Sequence, residues 1–288
     1  MVNKVSIIGG DLRIIKLAQM LAKDNFEVSV FGLEKEKSLL ELDNIKKCDS
    51  LDEATKNSDF IIGPIPLSSN GVYINTPFSD CEIELKSLAD KLKGKTFVAG
   101  SIKKEFYDMV EECEVIDLIE REELAVLNAI STAEGAIQIA MEETPKTIHG
   151  TNILILGFGR IGKMLAKMLN GLGAHVSCEA RKESDIAWIK AYGYKFVYLS
   201  DLKENLGDYE IIINTVPKII LDEENLRYVK KDSLLIDLAS NPGGIDKQVV
   251  KKMGLKFVWA LSLPGKVAPV TSAEYIKNTI YNILKEIK

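Results

Sequence analysis

The segment Asn152-Ile-Leu-Ile-Leu-Gly157-Phe-Gly159-Arg160-Ile161-Gly162 joins a strand-sized apolar run to three glycines spaced G-x-G-x-x-G. Each glycine answers a separate demand. Gly157 permits a tight turn, Gly159 lets the backbone approach a pyrophosphate, and Gly162 allows a strand and a helix to pack closely. The amphipathic stretch through Leu172 then offers the amides near Arg160 and Ile161, with the helix dipole, to an anion. This is the chemistry of a dinucleotide site. A vestigial turn is the competing reading, and the strand before, the helix after and a second strand at Ala174 weigh against it.

This segment resembles the nucleotide-binding domain of the formate and D-2-hydroxy-acid dehydrogenases and of adenosylhomocysteinase, and Gly173 fits that pattern too. In NAD-preferring members the second strand ends in an acidic residue that takes the ribose hydroxyls. Counting forward places Ala180 in that slot, followed by Arg181 and Lys182. A small residue and two cations offer a 2'-phosphate room, no like charge and a guanidinium to pair with, which favours NADP. Glu179 alternates to the other face of the strand, and a register shift of one residue would hand it the ribose and favour NAD. Arg181 and Lys182 as a solvated helix start is the bland alternative.

Two further segments end strands in the same half: Asn214-Thr215-Val216-Pro217 and Asp237-Leu238-Ala239-Ser240-Asn241-Pro242-Gly243-Gly244. Ligands of open α/β sheets lie at the carboxyl ends of strands, so these loops are expected to border the ribose and nicotinamide, although Pro242-Gly243-Gly244 also reads as a simple turn. A hydroxy-acid dehydrogenase needs a histidine acid/base and a carboxylate-clamping arginine. The only histidines are His149, in the turn before the cofactor strand, and His175, at the start of the next strand, and neither is well placed. Pro242 stands where that family has its arginine, so that chemistry is not inherited with the fold. Walker, H-E-x-x-H and G-x-S-x-G patterns are absent, as is metal-ligand spacing.

The elements that position these residues alternate short apolar runs with helical patterns, the rhythm of βαβ units, and do so twice. Strands are predicted at residues 4–9, 27–31, 59–63, 95–99 and 114–118, then at 152–156, 174–179, 195–198, 210–214, 233–237 and 256–259. Ile14, Leu17, Ala18 and Leu21 mark the first helix, with Asp11 as its N-cap. A long helix over 121–143, stopped by Thr144-Pro145, suits a domain connector. The expected fold is α/β, two Rossmann-like domains with parallel sheets arranged as in the formate and D-2-hydroxy-acid dehydrogenases. Residues 1–120 form a substrate domain and 121–269 an NAD(P)-binding domain. The apolar face of a last helix, within 270–288, packs back on the first.

With 288 residues, 46% of them hydrophobic, the chain can bury two such cores. A formal charge of −5 argues against a general electrostatic grip on nucleic acid or anionic membrane. The N-terminal apolar run is too short for a signal peptide, and no stretch is read as a membrane span. Cys48, Cys81, Cys113 and Cys178 are widely scattered and read as free thiols of a reducing cytoplasm.

In the first half, Gly9-Gly10-Asp11-Leu12-Arg13 is a strand-turn-helix with two glycines. Its helix start, with Arg13 one turn in, reads equally as a receiver of a substrate carboxylate and as a solvated surface. The stretch from Asp59 to Pro77 leaves a strand into a long loop carrying Pro64, Pro66, Ser68, Ser69 and Asn70. Its polar groups suit a carboxylate or a ring nitrogen; disorder is the other reading.

Taken in order, Gly9 to Arg13, Gly63-Pro64-Ile65-Pro66, Gly157 to Gly162, Asn214 to Pro217, Asp237 to Gly244 and Leu263-Pro-Gly-Lys266-Val-Ala-Pro269 resemble the dipicolinate synthase A-subunit family of spore-forming bacteria across nearly the whole chain. The resemblance implies oxidation of a dihydrodipicolinate to dipicolinate with a flavoprotein-like B-subunit, in the cytoplasm of the sporulating mother cell. Aromatisation then drives hydride loss and makes the missing histidine intelligible. The two substrate carboxylates need donors, and the candidates are Arg13 with the Gly10 and Asp11 amides, then Ser240, Asn241 and Lys266. Two alternatives stay open, an NADP-dependent oxidoreductase of another small dicarboxylate and a non-catalytic NADP-binding subunit. The apolar 121–143 stretch points to a homo-oligomer.

Overall fold

The computed structural model describes residues 3–56 and 58–287. The chain divides into two compact units, Met1–Leu127 with Ala268–Lys288, and Asn128–Val267.

The first unit holds six parallel strands, β1 (Lys4–Ile8), β2 (Glu27–Phe31), β3 (Ile45–Lys47), β4 (Phe60–Ile62), β5 (Thr96–Ala99) and β6 (Glu114–Asp117), in the order β3-β2-β1-β4-β5-β6. The order reverses direction between β1 and β4, which makes their carboxyl ends the place for ligands. β3 has no counterpart in the predicted strands, because Ile45-Lys46-Lys47 carries one apolar side chain and no alternation. It is an edge strand, registered on β2 from Val28↔Ile45 to Val30↔Lys47.

The helix Leu12–Lys23 buries Ile14, Ile15, Leu17, Ala18 and Leu21 at helical spacing. The C-terminal helix Pro269–Glu286 starts one residue before the expected span, with proline in its first turn, and adds Ala273, Ile276, Ile280 and Ile283 to the same core. Lys277 Nζ reaches Asp24 at 2.8 Å, and Arg121 forks onto Glu286 with both bonds at 2.7 Å.

The second unit repeats the winding with β7 (Asn152–Leu156), β8 (His175–Glu179), β9 (Lys195–Val197), β10 (Ile211–Asn214), β11 (Leu234–Asp237) and β12 (Lys256–Trp259), ordered β12-β11-β10-β7-β8-β9. Ile153 and Ile155 enter the core on one face, and Leu154 and Leu156 enter the core on the other. These near-continuous apolar runs are what a parallel sheet covered on both faces requires.

The helix Glu122–Glu143 belongs to both units. Leu124 sits in the first unit's core, while Ala133, Ala136 and Ala140 sit in the second's. The division therefore falls after Leu127, inside the helix, and not at residue 121. By length and composition alone this helix would also pass for a membrane span. Half of its most apolar window is buried in the protein. Leu263–Val267 is a short helix.

Candidate functional site

The turn after β7 has the geometry its glycines foretell. Gly157 has φ +91°, and a Cβ there would meet Thr215 Oγ1 and Val216 Cγ2 at 2.6 Å. A Cβ on Gly162 would lie 2.1 Å from the Gly157 carbonyl oxygen, so strand and helix touch through bare backbone. Gly159 is different. It is the N-cap of the helix Arg160–Gly171, makes no side-chain cap bond, and has nothing within 4 Å of where a Cβ would point. The cap at the head of this helix thus faces open space, and this fits the pyrophosphate of a dinucleotide.

At the end of β8, the register Leu156↔Glu179↔Val197 puts Glu179 on the face opposite Cys178 and Ala180. Ala180 is buried in the core that also holds Phe158, while Arg181 and Lys182 are exposed. Glu179 is 2% exposed, its backbone oxygen accepts the Gly157 amide at 3.1 Å, and its Oε1 has no partner. Burial pushes its carboxyl pKa upward, against the pull of the Gly157 hydrogen bond and of Arg181.

The two strand-end loops are knotted by a pair given no role from the sequence. Asp237 is fully buried and accepts from Asn214 Nδ2 at 2.7 Å and from the amides of Ala239, Gly244 and Ile245 at 3.0, 2.8 and 3.2 Å. Asn214 also bonds both backbone groups of Val216. A Cβ on Gly244 would overlap Asn214 Nδ2 at 2.3 Å, so Pro242-Gly243-Gly244 is a turn that closes on this pair. The available signal was that both residues are polar and end otherwise apolar strands. The knot leaves Thr215 and Val216 half-buried, Pro217 exposed, Leu238 and Ala239 buried, and Ser240 and Asn241 exposed. Trp259 Nε1 donates to the Ala239 carbonyl at 2.9 Å. Lys266 is exposed on its short helix. His175 opens β8 at its amino end, away from the glycine turn, and His149 lies against Gly173.

The first unit departs from expectation at Arg13, which is neither a solvated residue nor an open receptor. It is 5% exposed, and its Nε and Nη2 fork onto the Asp11 carboxylate at 2.8 to 3.1 Å, while Nη2 also donates to the Ile65 carbonyl. The Asp11 carboxylate additionally caps the helix by accepting the Arg13 amide at 3.0 Å. The Gly10 amide is committed to the Asn75 carbonyl at 3.0 Å. The 63–77 loop is ordered by its own bonds. Ser68 Oγ accepts the Gly71 amide, Asn70 Oδ1 accepts those of Val72 and Tyr73, and the buried Pro64 accepts the Gly100 amide. Among the described residues no three His, Cys, Asp or Glu side chains gather as a metal site.

The glycine turn and its doubly wound sheet are those of a nicotinamide-dinucleotide domain. Residues 127–250 match the D-isomer specific 2-hydroxyacid dehydrogenase NAD binding domain, so the chain is an NAD(P)-dependent oxidoreductase. Residues 4–120 match the dipicolinate synthase A-subunit N-terminal domain. The dipicolinate synthase A-subunit of Bacillus subtilis is 31% identical, over 99% of this chain and 97% of that protein. The crystal structure of the same Bacillus subtilis protein superposes with a TM-score of 0.90 at 30% identity, covering 100% of this chain and 97% of the other. The chain belongs to the dipicolinate synthase A-subunit family. A shikimate dehydrogenase (NADP(+)) of Methanococcus vannielii is 27% identical over 51% of this chain and 60% of its own length.

Proposed function

We propose that the chain oxidises dihydrodipicolinate to dipicolinate with NADP, together with a flavoprotein-like B-subunit, in the cytoplasm of a sporulating mother cell. The observation that carries this reading is the likeness, along the whole chain, to the dipicolinate synthase A-subunit. Bound NADP supplies a hydride acceptor. The chain's own residues bind and orient. The amides at Gly159, Arg160 and Ile161 hold the pyrophosphate. Arg181 and Lys182, beside the small Ala180, hold the 2'-phosphate, as supported by the NADP(+)-named relative. Thr215, Val216, Pro217, Leu238 and Ala239 wall the ribose and nicotinamide, and the Asn214–Asp237 knot fixes their positions.

In the oxidation the ring loses one hydride to the cofactor and one proton, and becomes aromatic. That gain in ring stability replaces the histidine acid/base of a hydroxy-acid dehydrogenase, and positioning accounts for the rest of the rate. Ser240, Asn241 and Lys266 are the exposed donors we assign to substrate carboxylate. In the first unit Asp11 and Arg13 act as positioning residues for the Ile65 segment, and Gly10, Pro64, Ser68 and Asn70 shape the loop beside it. Val126 and Met141, exposed on the long helix, support self-association.

The test gives the purified chain NADP and freshly generated precursor, with and without the B-subunit, and quantifies dipicolinate and NADPH. Product with both present is expected; none in either case rejects the reading. Both histidines lie away from the strand-end loops, and this favours one second reading, a cofactor-bearing subunit that transfers no hydride. Deuterium passing from labelled precursor to NADP excludes it.

A further inference from the structure

We propose that the first unit carries a pocket for a small cyclic α-amino or α-imino acid, a ring with a protonated nitrogen beside its carboxylate. The pocket lies among the loops that follow β4 and β5, at the strand ends where open α/β sheets take ligands, and encloses about 120 Å³. Leu67, Leu85, Phe106 and Met109 form its apolar lining. An apolar cavity of about 150 Å³ admits benzene, so this volume with its open mouth suits one six-membered ring.

Lys103 and Glu105 provide the charge along the lining, with the hydroxyl residues Ser68 and Ser101. Lys103 Nζ sits 3.6 Å from where a Cβ on Gly71 would be, which brings the ammonium to the 67–71 loop. Ser101 has φ +55°, a left-handed conformation that a serine rarely adopts. The buried Asp117 carboxylate holds it there by accepting the amides of Ser101 and Ile102 at 3.0 and 2.7 Å. The same carboxylate accepts the Ile119 amide at 2.8 Å, so one buried group fixes the backbone beside the pocket. A simple carboxylic acid would gain Lys103 and meet repulsion from Glu105. A molecule carrying both charges side by side satisfies both, with its carboxylate on Lys103 and its N–H on Glu105.

The inference deepens the proposed oxidation and rests on it only in linking the pocket to the substrate. A reduced ring keeps a basic nitrogen, and the aromatic product has a far weaker base. The pocket therefore prefers the reduced ring and releases the aromatic one.

Calorimetric titration of the full chain with pipecolate, cyclohexanecarboxylate and picolinate tests this. Pipecolate is expected to bind at least about tenfold more tightly than either other probe. Lys103→Met is expected to weaken it by about tenfold or more, and Glu105→Gln to erase its advantage over cyclohexanecarboxylate. Met109→Trp, which fills the lining, abolishes binding. Unchanged NADP binding in each variant reports an intact fold. The pocket is rejected if pipecolate gives no heat, if the three probes bind alike, or if Lys103→Met and Glu105→Gln both bind as the parent does. Dipicolinate formation with an unchanged KM in Lys103→Met and Met109→Trp would keep the oxidation and remove the pocket from it. Pipecolate binding lost in those variants, in a chain that makes no dipicolinate, would keep the pocket and remove the oxidation.

Discussion

The two sheets share one winding order, yet the turns after their first strands have opposite electrostatics. After β7 the helix cap is Gly159, with no side chain and open space where a Cβ would point. After β1 the cap is Asp11, whose carboxylate already accepts a helix amide and pairs with the buried Arg13. The first turn has its anion built in; the second has a bare cap with open space beside it. A strand-turn-helix is thus an anion site only when the chain does not supply its own carboxylate at the cap.

Gly159→Asp would turn the second arrangement into the first. With φ −75° at Gly159 and nothing near its Cβ, an aspartate fits without strain and caps the helix. NADP affinity is expected to fall by at least about a hundredfold, ~2.7 kcal/mol, because two anions compete for the same amides. Thermal stability should hold or rise by a few tenths of a kcal/mol from the new cap, because glycine is already a tolerable cap. Titration of protein fluorescence with NADPH and a melting curve check both halves, and unchanged affinity would break the contrast.

The reverse change, Asp11→Ala, strips the cap and leaves the Arg13 guanidinium buried without its carboxylate. The Asp11 side chain is 28% exposed against 6% for Arg13, so solvent recovers part of the loss. A destabilisation of ~2 kcal/mol in urea unfolding is expected, below the full cost of breaking a buried pair. Asp11→Asn, which retains the cap oxygen, should recover about half.

How much of this contrast was legible in the sequence depends on the range of the contacts. The glycine spacing and the apolar runs of β7, β8 and β12 are local and were readable to the residue or nearly so. β3 was invisible, because an edge strand of Ile45-Lys46-Lys47 is held by its backbone ladder and not by buried side chains. Arg13 looked like a free cation, since its fork onto Asp11 depends on the extended cap conformation of Asp11, with ψ −170°. The Asn214–Asp237 knot joins residues 23 apart whose strands become neighbours only in the sheet.

The ends of β8 and β2 extend the contrast to the adenosine side. Arg181→Ser is expected to lower NADP affinity about twentyfold, ~1.8 kcal/mol for a lost charge-assisted pair, and to leave NAD within about twofold. Parallel titrations with the two cofactors check it. Equal losses for both would show that Arg181 does not read the 2'-phosphate.

The smallest effect is expected two residues earlier, at Glu179. Gly9 and Gly157 donate their amides to the carbonyls of Phe31 and Glu179, so these two residues occupy equivalent sheet positions. One is an aromatic hydrocarbon, and the other a buried carboxyl with an unpartnered oxygen and a pKa raised by desolvation. A carboxyl whose pKa is higher folded than unfolded favours the folded state while protonated. Glu179 therefore supports the fold fully below its ordinary value of 4.5 and loses that support as pH rises through the raised value. Glu179→Gln keeps the shape and removes the charge. It should raise the melting temperature slightly at pH 7 and leave it unchanged below pH 4.5. A ligand hydroxyl that donates to the unpartnered oxygen would reverse the sign at pH 7. In that case the parent gains more than the variant when NAD is added, and Glu179, not Arg181, reads the ribose. Melting curves at both pH values, with and without each cofactor, separate the two outcomes.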